Sequence, residues 1–388
     1  MGGGTVKVQR ILPSEEAAEL LDLVREIAAG ELAPNVAEFE ENHTFPRDIV
    51  RTLGKAGLLS LPYPEEYGGG GQPYEVYLQV LEELARNWFG VAEAVNVHTL
   101  ACFGTAAYGT AAQREELLPA MLGGELLGAY CLSEAAAGSD AASLTTRAVR
   151  EAGTGADGYR LTGTKAWVTH AGHADFYTVF ARTGGPGARG LSCLVVPADT
   201  PGMAVHPPER KLGVWSNPTA QVGFEDVRVP AGRLIGREGK GFLIAMGALD
   251  CGRLGIAACA VGIAQAAADY AVRYAKERRQ FGQRIADFQG VGFLLADMAT
   301  QIAAARALTL AAARLKDAGL PYSLEAAKAK LFATDMAMRV TTDAVQVLGG
   351  AGYVRDHPVE RWMREAKLLQ IVEGTNQIQR MVISQGLD

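Results

Sequence analysis

Five short segments of this chain carry residue types that could hold a charged, planar or acyl ligand, or move a proton. The most pointed is Ile371-Val372-Glu373-Gly374-Thr375-Asn376-Gln377-Ile378-Gln379-Arg380. A carboxylate beside apolar groups has a raised pKa, which suits Glu373 to act as a general base. The same residues also read as a helix start, with Gly374-Thr375 at the cap. On residue types alone both readings stand.

The other four segments are equally two-sided. In Cys131-Leu132-Ser133-Glu134-Ala135-Ala136-Ala137-Gly138-Ser139-Asp140, small residues and a Gly-Ser-Asp turn let backbone N–H groups approach a ligand, or simply join two domains. In Lys165-Ala166-Trp167-Val168-Thr169, Trp167 either fills a core or stacks on a planar ring. In Glu277-Arg278-Arg279-Gln280-Phe281-Gly282, the arginines favour a helix C-terminus or clamp a pyrophosphate. In Gln346-Val347-Leu348-Gly349-Gly350-Ala351-Gly352-Tyr353, three glycines in four positions exceed the needs of one helix cap, so a ligand can approach the backbone closely.

Several chemistries are excluded or disfavoured. No GxGxxG follows a predicted strand, and neither GxxxxGK[ST] nor a GxSxG elbow occurs. The six histidines show no zinc-ligand spacing, since His170 and His173 have no third ligand nearby, so no metal site is expected. The five cysteines are odd in number and form no CxxC, which reads as reduced thiols in a cytoplasmic protein. A net charge of −6 gives no general attraction to nucleic acid. The opening MGGGTVKVQR lacks an apolar secretory core, and the apolar run Leu254 to Ala264 is too short to span a bilayer.

The elements that must position these segments fall into three regimes. Apolar residues recur at helical spacing (Leu20, Leu21, Val24, Ile27; Ile49, Leu53, Leu58) and helical patterning resumes from Tyr74 to Leu122. Residues 1–128 are therefore a helical domain. From 129 to 240 the period is two, in short stretches such as Tyr159–Thr162, Phe176–Ala181, Leu191–Val196 and Gln221–Phe224, which predicts a small antiparallel barrel or sandwich. From 241 to 388 four helical segments are expected, roughly 241–275, 289–316, 322–348 and 359–385, forming a four-helix bundle. The class is α+β, mostly α.

In this order and spacing the segments resemble the acyl-CoA dehydrogenase family over essentially the whole chain, from Phe45-Pro46 and Pro64-Glu65-Glu66-Tyr67-Gly68-Gly69 to Gln379-Arg380. The Ser133-Glu134…Gly138-Ser139-Asp140 block, the Gln346…Gly349-Gly350…Gly352-Tyr353…Asp356…Arg361…Glu365 block and Glu373-Gly374-Thr375 carry that resemblance. It implies FAD as cofactor and a homotetramer, a dimer of dimers, in which a neighbouring subunit completes each FAD site. It implies that Tyr130, Leu132, Ser133, Gly138, Trp167 and Thr169 surround the flavin ring and ribityl chain, with Thr375 and Gln377 alongside. It assigns Arg278, Gln280, Phe281, Gln346, Gly349 and Gly350 to the pyrophosphate and adenosine across the interface. Ser139 is implied to contact both cofactor and CoA, and Asp250, Arg253 and Gly374 to lie on the substrate side.

The implied reaction is α,β-dehydrogenation of an acyl-CoA to the trans-2-enoyl-CoA, as in β-oxidation. Glu373 takes the α proton while hydride passes from the β carbon to flavin N5, and an electron-transfer flavoprotein then accepts the electrons. Some members carry the base just before the position of Arg253, but Gly252 stands there. The Asp250-Cys251-Gly252-Arg253 pattern looks closest to short-chain and related members. An acyl-CoA oxidase or a carrier-protein-linked acyl dehydrogenase on the same fold is the alternative. Three departures stand out: Ala135 replaces the usual proline, Glu365 the usual Asp, and His170 the usual Asn or Ser, which is expected to place a titratable group near the flavin.

Overall fold

The structure, a computed structural model, describes residue 8, residues 10–151 and residues 157–387. The start of the chain, read above for a secretory core, lies largely outside them.

The N-terminal helices are α1 (Glu15–Ile27), α2 (Val36–Glu41), α3 (Arg47–Lys55), α4 (Tyr74–Asn87), α5 (Phe89–Tyr108) and α6 (Ala111–Leu122). Their starts are chemically defined. The Ser14 hydroxyl accepts from Ala17 N at 3.1 Å, and Thr110 with Gln113 closes a capping box on α6. The α4 start is capped from the other end of the chain: Asp317 accepts from Tyr74 N and Glu75 N. The helical patterning expected from Tyr74 to Leu122 is three helices. Its first break falls at Trp88, which is extended (φ −154°) and buries its ring.

The strands are β1 (Gly128–Cys131), β2 (Arg147–Glu151), β3 (Gly158–Thr169), β4 (Phe176–Arg182), β5 (Leu191–Pro197), β6 (Met203–Val205), β7 (Thr219–Pro230) and β8 (Leu234–Ile235). They form one sheet of order β6-β7-β3-β2-β4-β5-β8, with β1 joined to β4. The pairings are antiparallel except β1 with β4 and the single β2–β4 pair, so the expected antiparallel domain carries two parallel contacts. The β3–β7 register slips between Lys165 and Val168. At that bulge Trp167 takes φ +54° and turns its ring outward, 54% exposed, out of an otherwise alternating strand.

The C-terminal part is α7 (Gly241–Glu277), a hairpin of β9 (Arg279–Gln280) and β10 (Gln283–Arg284), then α8 (Gln289–Asp317), α9 (Ser323–Leu348), α10 (Val359–Leu369) and α11 (Asn376–Gln385). The fourth expected helix, 359–385, is two helices. Consecutive left-handed residues, Glu373 at φ +57° and Gly374 at φ +87°, break it. The largest apolar core joins α4 and α5 to α7 and α9. The apolar run of α7 extends into a helix that is long and apolar enough to cross a membrane by length and composition, as is α8. In α7 67% of the apolar window is buried inside the protein, against 17% in α8.

Candidate active site

The Glu373 turn projects its carboxylate against α7 and α5. Gly252 and Gly255 of α7 make the room: a Cβ at Gly252 would overlap Glu373 Oε2, and one at Gly255 would overlap the Asn96 amide. Asn96 Nδ2 donates to Glu373 Oε1 at 3.2 Å. Oε2 is buried and, among the described residues, has no hydrogen-bond partner. The two oxygens are thus distinguished, one held and one bare.

The electrostatics suit a base. Burial pushes the Glu373 carboxyl up to about 8, opposed by Arg253, Lys330 and the Asn96 hydrogen bond and reinforced by Glu93. The turn itself is latched from behind. Gln379 Nε2 donates to the Glu373 and Gly374 carbonyls at 3.2 and 2.8 Å, and Lys330 Nζ donates to the Gly374 carbonyl at 2.9 Å. Among the described residues no acceptor binds the Glu373 N–H. Thr375 is both site and cap: its hydroxyl accepts from Ile378 N at the start of α11. Gln377 lies on the exposed side of that first turn.

A second wall comes from the β domain. Ala166 N donates to the Ser133 carbonyl at 2.9 Å, and Lys165 Nζ donates to the Leu132 carbonyl and pairs with Glu134 at 3.0 Å. Burial would raise the Glu134 carboxyl, but Lys165 and donors from Thr145 and Thr146 hold it at about 2. Two sequence segments therefore become one surface. Gly138 faces the Trp167 ring, where a Cβ would stand 3.9 Å from it. Leu132 is buried, Ser133 and Thr169 are half-buried beside the tryptophan, and Ser139 is exposed at the rim. Tyr130 donates to the Ala245 carbonyl and feels the charges of Glu373 and Arg253, which links this wall to the carboxylate.

His170 corrects an expectation. It is wholly buried, its Nδ1 meets the Gly128 carbonyl at 2.9 Å, and burial drives its pKa down to about 3. It is a neutral structural ring packed against Phe45, and it does not titrate near neutral pH.

Beside Gly252 on α7, Asp250 and Arg253 form an ion pair at 2.5 Å, with Arg253 only 5% exposed and its charge acting on Glu373. The remaining predicted residues lie elsewhere. Arg278, Gln280 and Phe281 follow the end of α7, Gln346 lies in the last turn of α9, and Gly349 and Gly350 follow its end. Tyr270, two turns before the end of α7, meets His357 Nδ1 in the segment after α9 at 2.7 Å. Phe281 is 94% exposed, and a Cβ at Gly349 or Gly350 would meet nothing within 4 Å. From Gly252 to Arg278 the helix rises roughly 39 Å. The two groups of residues are therefore well separated along this chain.

Asn96, Lys330, Gln379 and Lys165 were not singled out as site residues from sequence. The available signal was polarity in apolar helices: Asn96 stands in Val91–Thr99, and Lys330 is flanked by Ala329 and Leu331.

Comparison with known proteins places the chain. Family models for the N-terminal, middle and C-terminal domains of acyl-CoA dehydrogenase match residues 14–125, 129–227 and 239–387. An "Acyl-CoA dehydrogenase" of Bacillus subtilis (strain 168) is 43% identical, over 96% of this chain and 98% of its own. The butyryl-CoA dehydrogenase structure from Megasphaera elsdenii is 40% identical with TM-score 0.94, covering 98% of this chain and 100% of that one. A structure described as "Electron transferring flavoprotein of Acidaminococcus fermentans: Towards a mechanism of flavin-based electron bifurcation" is 42% identical with TM-score 0.94, covering 98% and 99%.

Proposed function

The chain belongs to the acyl-CoA dehydrogenase family and is an oxidoreductase of that class, and we propose that Glu373 is its base and FAD its flavin. The proposed reaction converts a short acyl-CoA to its trans-2-enoyl-CoA. The observation that carries this reading is a carboxylate with one oxygen held by Asn96 and the other buried and, among the described residues, bare.

FAD, when bound, supplies the acceptor for the β-hydride. The residues present fit it: an outward-turned Trp167, a Gly138 with space before it, and backbone tied down at Ser133 and Leu132. Tyr130, Thr169, Thr375 and Gln377 complete that cradle, and Arg278, Gln280, Phe281, Gln346, Gly349 and Gly350 hold the nucleotide end of a neighbouring subunit's FAD. The roughly 39 Å along α7 supports that division. So does the scant burial of α8, whose apolar face a second copy covers in the proposed homotetramer.

On the substrate, the Glu373 N–H donates to the thioester carbonyl, and a donor of this kind is worth about 3–4 kcal/mol in the transition state. Glu373 Oε2 takes the α proton. Its raised proton affinity, caused by burial, makes it a stronger base than an exposed carboxylate. Gly374 gives close approach, Ser139 at the rim meets the CoA, and Asp250 with Arg253 closes the substrate side. Reoxidation by an electron-transfer flavoprotein, in a cytoplasmic setting consistent with five buried thiols, completes the proposal.

Anaerobic mixing of the yellow protein with a panel of acyl-CoAs tests it. Bleaching should be fastest with short straight chains. A protein that binds flavin yet bleaches with none of them removes the proposal.

A further inference from the structure

Lys330 sits in α9 with none of its surface exposed. Its Nζ donates to the Gly374 carbonyl and to Asn376 Oδ1, both at 2.9 Å. Among the described residues it has no direct carboxylate partner. A buried ammonium needs a countercharge, because leaving it alone in a low-dielectric interior is costly.

The neighbouring charges narrow the choice. Asp335 is taken: Arg380 pairs with it at 2.9 Å, and the Asn376 and Gln370 amides donate to it. Arg253 repels Lys330 but is neutralised by Asp250. Around the base, Glu93 is held by Asn217 at 3.0 Å, facing Lys211. Tyr77, Tyr130, Cys251 and Cys259 all have pKa values raised by burial and stay neutral. Of the two cations acting on Glu373, Arg253 is the stronger and is already paired with Asp250, while Lys330 is the one tied to the Glu373 turn, through the Gly374 carbonyl.

We propose that Lys330 is a positioning residue for the base: its ammonium fixes the left-handed turn through the Gly374 carbonyl and sets a positive charge behind the residue that carries the proton. This rests on the reading of Glu373 as the base. The latch and the charge are separable functions. Gln379 also donates to the Gly374 carbonyl, so the turn has a second tie that carries no charge. Burial lowers the Lys330 pKa to about 7, so its charge fades within the range where Glu373 titrates. Glu373 opposes that drop, and Lys330 in turn lowers the Glu373 pKa, so the charge of each acts on the proton of the other.

The test uses the FAD-loaded protein and two substitutions of opposite sign. Lys330→Gln keeps a donor for the Gly374 carbonyl and removes the charge. Lys330→Arg keeps a charge that does not titrate. Two readouts apply: the pH profile of substrate-driven flavin bleaching, and infrared titration of the protonated Glu373 carboxyl, identified by its loss in Glu373→Gln. Lys330→Gln should move the Glu373 titration to higher pH, and Lys330→Arg should move it lower. Wild-type titration in either variant overturns the proposal, whatever happens to thermal stability, which a purely structural lysine would also affect. If Lys330→Gln does not fold, the sign of the Lys330→Arg shift decides alone. Wild-type bleaching by Glu373→Gln would instead sink the base assignment, and the infrared titration would still judge Lys330.

Discussion

The carboxylate of Glu373 occupies the space that a side chain at Gly252 would fill. Glycine at this point in α7 carries a helix cost of about 1 kcal/mol against alanine. Gly252→Ala is therefore expected to leave the helix intact while driving the carboxylate off its station. Its bleaching rate should fall at least roughly 10²-fold, the scale of a misplaced general base, with FAD still bound. A fully active Gly252→Ala enzyme would show that the carboxylate does not work from this position.

The paired histidines predict acid sensitivity. His98 Nδ1 accepts from Gly128 N at 2.9 Å while His170 Nδ1 meets the Gly128 carbonyl, so two neutral rings pin one residue, through both of its peptide groups, at the start of β1. Burial lowers their pKa values to about 4 and about 3. Both lie below the unfolded value of 6.5, so the unfolded chain binds more protons between those limits. Their stabilisation is complete above about pH 6.5 and is lost as pH falls toward 4 and 3. The melting temperature should drop across that window, and His170→Asn should flatten the slope. An unchanged slope would refute the assignment.

Glu373 has the opposite sign. Its folded pKa is raised above the unfolded 4.5, so the native state holds the extra proton and stability falls as pH rises from 4.5 through about 8. Glu373→Gln should melt higher than wild type at pH 8 and no differently at pH 4. A lower melting temperature at pH 8 would mean the carboxylate is stabilised where it sits.

Lys165 ties the wall together. Removing one partner of a buried pair typically costs about 3–5 kcal/mol. Lys165→Met strands Glu134 and frees the Leu132 carbonyl. Loss of bound FAD below the melting transition is the expected outcome, read from absorbance after gel filtration.

Arg278→Ala addresses the distant constellation. It should weaken FAD retention and subunit association together, because both are assigned to the same interface. Sedimentation and flavin content would show it, and independence of the two would contradict the shared site.

The three-part fold was legible because each part has its own period and its own Gly and Pro punctuation. What stayed hidden depends on tertiary context. The apolar pattern runs on through Ile371 and Val372, so only the Gly374-Thr375 cap marks the break between α10 and α11, and glutamate is an unusual residue for φ +57°. The outward turn of Trp167 needs the β3–β7 slip, which exists only once β7 is paired. Asn96 and Lys330 lie within helical stretches whose periodicity gives no reason to single them out. His170 misled because titration depends on burial, and burial is set by Phe45 and Gly128, far away in sequence.

The most direct test is single-turnover, anaerobic reduction of the bound flavin by butyryl-CoA in Glu373→Gln. The amide preserves shape and removes the base. The account predicts normal FAD content and a rate roughly 10²-fold or more below wild type. Reduction at close to the wild-type rate would contradict it.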